Sequence, residues 1–423
     1  MRTRDTALIH DAASSRDDGW LRTFLIIFSG QAFSLLGSSA VNFALVWWLT
    51  ATTGSASILA YASIAGLMPQ AVIGPVAGPF IDRWDRRITM MVVDLCIAAT
   101  SLGLIAVFAL GRASVGAIIA IVALRSLGSG FHTPASQAAV PMYVPQDQLM
   151  RVAGWNFFLG SGVAMAGPVL GAFLMGVAPM TAVLSVDIAG AVIAVVTLLL
   201  VRIPHPQRPQ GDAVAEGLFG EFAEGWRELV RHRALFYLTM VLTVVTLLYM
   251  PLNALFPLMT LEHFGGGALG ASVVELAFGG GMLVGSVLIG GLSSRVRPVR
   301  LIGVGIVCEG ALLAGSGLLP SSGFWVFVGL CAFMGVSVPL FAAPLTALFQ
   351  TLVEPSRLGR VLSLYTTVSL LVAAPGLLLA GPLAERTGVA PWFALSGTLI
   401  LLSGLFVWAP RAVRHLSVTR AAS

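Results

Sequence analysis

Twelve apolar runs, each about 20 residues or longer, fill most of a 423-residue chain. Their approximate limits are 22–49, 55–81, 88–110, 114–138, 152–177, 180–202, 234–261, 269–293, 299–319, 323–350, 358–385 and 389–409. A helix rises about 1.5 Å per residue, so about 20 residues cross a hydrocarbon core about 30 Å thick. Charged residues make up 10% of the chain, against about 25% in an ordinary soluble domain. So few charges could not cover the surface of a soluble protein of this length. The expected fold is all-α: a polytopic membrane protein whose twelve transmembrane helices form two six-helix bundles. Gly and Pro recur inside the runs, which spans tolerate where neighbouring helices satisfy the freed backbone groups.

The basic residues set the expected orientation. All 24 are arginines; lysine is absent. With the N-terminus inside, only Arg112 and Arg386 fall near outer ends and Arg125 falls within a span, while the others lie at or beyond inner ends. That bias places both termini in the cytoplasm. The first 20 residues are polar and mixed in charge, so no cleavable signal peptide is expected and the first run acts as its own insertion signal. The longest interior polar segment divides the runs six and six. It opens on the stiff stretch PHPQRP (204–209) and continues as an amphipathic helix, with Leu218, Phe222, Trp226 and Leu229 at helical spacing among Glu221, Glu224, Glu228 and Arg231. The expected organisation is a cytoplasmic tail (1–21), a first six-helix bundle (22–202), a cytoplasmic linker with its helix (203–233), a second bundle (234–410) and a cytoplasmic tail (411–423). Cys96, Cys308 and Cys331 all lie in apolar runs and are expected as buried small hydrophobes without a disulfide framework. Without lysine there is no Walker A loop. The six histidines are dispersed, with no metal-ligand spacing, and no Gly-x-Ser-x-Gly elbow is present. No catalytic residues, metal or cofactor are expected.

The densest charge in the chain is GPFIDRWDRR (78–87), between the second and third runs. Its Gly78, Asp82, Arg83, Arg86 and Arg87 follow the signature loop of the major facilitator superfamily, Gly-x-x-x-Asp-Arg-x-Gly-Arg-Arg, with Asp85 in place of the second glycine. The corresponding stretch of the second half, GGLSSRVRPVR (290–300), keeps arginines and lacks the Asp. RSLGSGFHTPA (125–135) followed by VPQDQL, MPLNALFPL (250–258), SGLLPSSGF (316–324), TALFQ (346–350), LGRVLSL (358–364) and WFALSGTLI (392–400) resemble the macrolide efflux proteins of that superfamily nearly end to end. Gly167-Pro168-x-x-Gly171 resembles the superfamily's antiporter signature, with Val163 where its first glycine would stand. From the residues alone, Gly160, Gly167 and Gly171 permit close helix contact and Pro168 bends the span. The resemblance implies the major facilitator fold, with the 78–87 loop as a latch between the two bundles. Since relatives of this kind export different compounds, the motifs mark the subfamily better than the cargo.

Polar residues form stripes along three runs. Gln31, Ser34, Ser38 and Asn42 fall within about 80° of one another at 100° per residue, as do Arg125, Ser129, His132 and Ser136. Thr239, Thr246 and Asn253 align in the seventh run, with Met250 nearby. The resemblance implies that the first, fourth and seventh spans line a central cavity, making Gln31, Ser38, Asn42, Ser129, Thr246, Met250 and Asn253 candidate lining residues. Hydrogen bonding between helices explains the same stripes. Asp94, Arg125, Asp187, Glu275 and Glu309 lie inside runs, where a charge costs about 2.5–3.5 kcal/mol on insertion scales. Such charges mark ion pathways or satisfied interhelical pairs. Asp187 and Glu275 are the first candidates for proton coupling, with Arg125 setting the local field; Glu309, His132 and Asp94 follow.

The expected function is proton-coupled export, by alternating access, of lipophilic small molecules such as macrolide-like drugs. The partners are the cargo, protons and the lipid bilayer, without nucleic acid. The expected state is a monomer in a bacterial plasma (inner) membrane. Export of a siderophore or a self-made secondary metabolite, and uncoupled facilitation, are alternatives on the same fold. A membrane receptor or polytopic enzyme is the alternative of a different class.

Overall fold

The computed structural model describes the backbone of residues 2–201, 203, 218–292 and 295–410, and the side chains of all these except 2–18, 74–76, 78–83 apart from the backbone, 150, 157, 218–222 and 355–356. The described residues fold into α-helices joined by short turns. In chain order these are α1 (Arg2–Thr53), α2 (Ala56–Arg83), α3 (Arg86–Ala109), α4 (Val115–Tyr143), α5 (Leu149–Val177) and α6 (Met180–Leu200). The series continues with α7 (Leu218–Arg231), α8 (Arg233–Leu258), α9 (Ala268–Leu292), α10 (Pro298–Gly317), α11 (Phe324–Leu352), α12 (Pro355–Thr387) and α13 (Val389–Phe406). Twelve of them are long and apolar enough to cross a membrane. The exception is α7, with 14 residues. The spans match the apolar runs closely: α3 covers the run at 88–110 and α6 the run at 180–202. One differs more. The fourth run was expected to end near 138, but α4 continues through Pro134 and Pro141 to Tyr143. Proline within a span is tolerated when its neighbours cover the freed carbonyl.

Two turns depend on glycine. Gly54 joins α1 to α2 at φ 56° and donates its N–H to the Thr50 carbonyl at 2.9 Å. Gly388 joins α12 to α13 at φ 88°. Both lie in the left-handed region, which residues with a Cβ enter at a penalty. The turn at 84–85 works differently. Asp85 caps the N-terminus of α3, accepting the N–H groups of Arg87 and Ile88 at 2.9 and 3.3 Å, and so satisfies donors that the helix leaves free. Arg87, in the same turn, donates to the last carbonyls of α6, Leu198 and Leu199, at 2.7 and 3.0 Å, which ties the start of α3 to the end of α6.

The helices gather into two compact units. One holds α1 as far as Ala44, α2 from Val72, and α3 to α6; the other holds Leu45–Ala71 with α7 to α13. In the second unit, Glu385 of α12 accepts Ser55 Oγ at 2.5 Å and the Ser57 N–H at 3.1 Å, which ties the 45–71 segment to that helix. The same pairing order appears inside each unit: α3 packs on α6, and α10 packs on α13, each the third and sixth span of its half.

Glycines make these contacts close. In the first unit a Cβ on Gly37 would come within 3.1 Å of the Asp187 Cα, and one on Gly190 within 2.7 Å of the Phe33 carbonyl, so α1 and α6 touch backbone to backbone. A Cβ on Gly171 would stand 2.5 Å from the Ala40 carbonyl, and one on Gly167 would overlap Ser39. The Gly167-Pro168-x-x-Gly171 motif is therefore the seam of α5 on α1. Gly160 is not part of that seam: nothing lies within 4 Å of the Cβ it lacks. In the second unit Gly281, Gly285 and Gly335 place α9 against α11 in the same way, and Gly310 and Gly397 place α10 against α13. Small residues at such crossings allow dispersion contacts that lipid cannot replace.

The cysteines depart from expectation. Cys331 is buried, but Cys96 and Cys308 are exposed. An apolar run has no polar side to betray which face turns outward, because lipid and protein interior are both apolar.

Candidate functional site

In the first unit, Asp187 of α6 is completely buried. Its Oδ1 accepts Ser38 Oγ of α1 at 2.6 Å. Its Oδ2 accepts Ser101 Oγ of α3 at 2.5 Å and Arg125 Nη1 of α4 at 2.6 Å. Arg125 Nη1 also reaches Ser101 Oγ at 2.7 Å. Four helices thus converge on one carboxylate, and its charge is matched by a guanidinium. The close approach at Gly37 brings Ser38 within reach. Ser101 carried no sequence signal, since a lone serine in an apolar run is ordinary.

Asp94 of α3 forms a looser cluster nearby. Gln31 Nε2 donates to its Oδ2 at 3.4 Å, and His132 Nε2 stands 3.5 Å from its Oδ1. The imidazole Nε2 makes no hydrogen bond to Asp94 or to any other group among the described residues. Gln31 and His132 line a cavity of about 240 Å³ between α1, α4 and α5, with Phe24, Phe28, Ser136 and Asn156 among its walls. Phe24 and Phe28 rest on Trp155 at 5.5 and 6.4 Å. Gly160 faces this space. An aromatic wall beside a few polar groups is the usual make-up of a small-molecule pocket.

The second unit holds two acids of a different kind. Glu309 of α10 is completely buried. Ser337 Oγ of α11 donates to its Oε2, while its Oε1 has no hydrogen-bond partner among the described residues. Glu275 of α9 is half-buried. Tyr249 of α8 and Cys331 of α11 lie close enough to both to sense their charge. Among the described residues no arginine or histidine pairs with either acid.

The remaining candidates are dispersed. Ser129, Thr239 and Thr246 return their hydroxyls to carbonyls of their own helices at 2.9–3.2 Å. Met250 is half-buried, and Asn42 and Asn253 are exposed. The side chains of Gly78, Asp82 and Arg83, three members of the expected latch, lie outside the described residues, as do PHPQRP, Ser293, Ser294 and the C-terminal tail from 411. Among the described residues no group of His, Cys, Asp and Glu is arranged to hold a metal ion.

At one end of the second unit, α7 docks on α12. Glu228 pairs with Arg357 at 2.7 Å and with His232 at 3.4 Å, and Glu224 pairs with Arg360. The Arg357 hydrogen bond holds the Glu228 carboxyl below its ordinary range, against the upward pull of burial. Gly225 permits the approach, since a Cβ there would lie 2.9 Å from the Arg360 carbonyl.

Comparison with known proteins agrees with this architecture. Macrolide efflux protein A of Streptococcus pyogenes is 40% identical over 387 residues, covering 91% of this chain and 95% of that protein. The multidrug efflux pump Tap of Mycobacterium tuberculosis is 25% identical over 405 residues, covering 93% and 94% of the two chains. The crystal structure of a D-xylose–proton symporter superposes with a TM-score of 0.71 over 93% of this chain and 98% of its own, at 14% identity, a likeness of fold alone. The model of the Major Facilitator Superfamily matches residues 27–376. By fold and by sequence over most of its length, the chain belongs to the Major Facilitator Superfamily and is a membrane transporter, not an enzyme.

Proposed function

We propose that the chain is an exporter of lipophilic drugs, macrolide-like compounds foremost, that exchanges its cargo for protons. It would work in a bacterial plasma membrane with both termini in the cytoplasm, its two six-helix halves (22–202 and 234–410) exposing the cargo site alternately to each side. The cargo class rests on the efflux relatives. The aromatic and polar walls of the cavity between α1, α4 and α5, about 240 Å³ in volume, suit part of a mostly apolar compound with a few polar groups.

The coupling assignment rests on one observation: Glu309 is buried with an open oxygen and no cation, whereas Asp187 is matched by Arg125. In surroundings of low dielectric a carboxylate must be neutralised, and a proton and a cationic cargo are two ways of doing so. Asp187 already has its cation and two hydroxyl donors, so it serves as a structural anchor. Glu309 is the carrier, and Glu275 of α9 is the second candidate.

The test is drug-induced proton release from purified protein, with erythromycin as the probe. Wild type and Asp187→Asn that remains folded should release protons; Glu309→Gln should release at most a small fraction. Uphill export into everted vesicles should fail in Glu309→Gln, while downhill exchange persists. Wild-type release from Glu309→Gln and from Glu275→Gln would reject the assignment. Absence of erythromycin binding to wild type would reject the cargo class.

A further inference from the structure

The pocket between α7 and α12 has no part in the scheme above. It measures about 240 Å³ and is lined by Glu224, Arg227, Glu228, Arg231 and Arg357. Both acids are engaged: Glu224 by Arg360, and Glu228 by Arg357 and His232. Arg227 and Arg231, one helical turn apart, are exposed and pair with no carboxylate among the described residues. Arg231 feels Glu228 at longer range, but neither arginine is held in an ion pair among the described residues, so the pocket presents two guanidinium groups to whatever fills it.

Its depth says what that is. Only His232 separates α7 from α8, whose span begins at Arg233, and the span of α12 begins at Arg357. The pocket lies at the level where two spans enter the bilayer. Trp226 packs edge-on against Phe236, in the first turn of α8, at 5.6 Å, and the outer face of α7 exposes Trp226 and Val230. Exposed tryptophan and arginine on a helix beside a span are suited to the headgroup layer. At that depth the abundant anion is a lipid phosphate, and guanidinium binds phosphate oxygens through paired, charge-assisted hydrogen bonds. A water takes about 30 Å³ in the liquid, so the space admits a phosphodiester together with part of its glycerol. A zwitterionic headgroup would also need an acceptor for its cation, and both pocket acids are already occupied.

We propose that this pocket binds the headgroup of an anionic phospholipid, with Arg227 and Arg231 as its donors and Trp226 set among the neighbouring acyl chains. The lipid would seal α7 against the start of α12.

Native mass spectrometry of the full chain in detergent, titrated with phosphatidylglycerol or phosphatidylcholine, tests this. Wild type should bind phosphatidylglycerol in preference. Arg227→Gln with Arg231→Gln should weaken that binding by about thirtyfold, the loss expected for two arginines near an anionic surface, and leave phosphatidylcholine binding unchanged. Arg227→Lys with Arg231→Lys keeps the charge and should keep most of the preference, and it carries the test if the glutamine pair folds poorly. Unchanged phosphatidylglycerol binding in the glutamine pair overturns the proposal. So does a lysine pair with no preference, or inorganic phosphate displacing the lipid at equal concentration, which would make this a site for a free anion. Each reading is independent of drug transport.

Discussion

At the scale of single residues, the intramembrane acids divide by what surrounds them. Asp187 receives three side-chain donors, one of them cationic; Glu309 receives one neutral hydroxyl. Their neutral amides should therefore behave oppositely. Asp187→Asn leaves Arg125 as a nearly buried, uncompensated cation, and breaking a buried pair from one side typically costs about 3–5 kcal/mol. Its melting temperature and folded yield should fall well below wild type. Removing both charges, as Arg125→Leu with Asp187→Leu, should restore much of that loss, because no orphaned charge remains. Glu309→Gln keeps an acceptor for Ser337 and orphans no cation, so it should melt near wild type. Thermal unfolding of the purified variants, followed by tryptophan fluorescence, checks all of these. A stable Asp187→Asn would show that the pair does not anchor its four helices.

At the scale of helices, stability rests on a few crossings where glycine permits contact. The α5–α1 seam offers a paired test. Gly171→Val would drive a branched side chain into the Ala40 carbonyl, and overpacking of this kind costs about 1–3 kcal/mol. Gly160→Ala, on the same helix, meets open space and should leave the melting temperature unchanged. Because Gly160 faces the cavity, its variant should alter drug affinity instead. Equal melting of the two variants would mean that the glycine motif of α5 is not a packing seam. Helix α7 shows the same logic at the membrane edge. Glu224 and Glu228 are not a solvated face; they are ion-paired to α12, and Gly225 makes room for the pairing.

For the molecule as a whole, the arginine bias and the even number of spans predict a single orientation. Thr52→Cys, Gly267→Cys and Ser321→Cys, made one at a time in a cysteine-free background, should react with an impermeant thiol reagent in intact cells. Gln210→Cys should react only after the membrane is opened. Thr52, Gly267 and Ser321 are exposed at helix ends, so burial would not hide them. The reverse labelling pattern would invert the topology and place the α7 pocket in the outer leaflet.

Much of the architecture was legible from the chain alone. The bilayer's thickness sets a fixed length for each apolar run, so the count of spans and most of their ends, such as α6 at Met180–Leu200, followed from composition along the chain. The linker helix was legible too, because water on one side imposes a 3.6-residue period on α7. Inside the bilayer that signal disappears. A residue facing lipid and one facing a neighbouring helix are equally apolar, so the sequence placed Cys96 and Cys308 among the buried residues, whereas both are exposed. It also ranked Asp187 beside Glu275 as a proton carrier, since the two acids look alike along the chain. Only the packing of α1, α3, α4 and α6 revealed that Asp187 meets Arg125, 62 residues away, and Ser101, 86 residues away. Only the packing of α10 on α11 revealed that Glu309 meets a lone hydroxyl. Solvation by the membrane is a property of each segment and is written along the chain; the neutralisation of a buried charge is a property of which helices touch, and tertiary structure alone decides it.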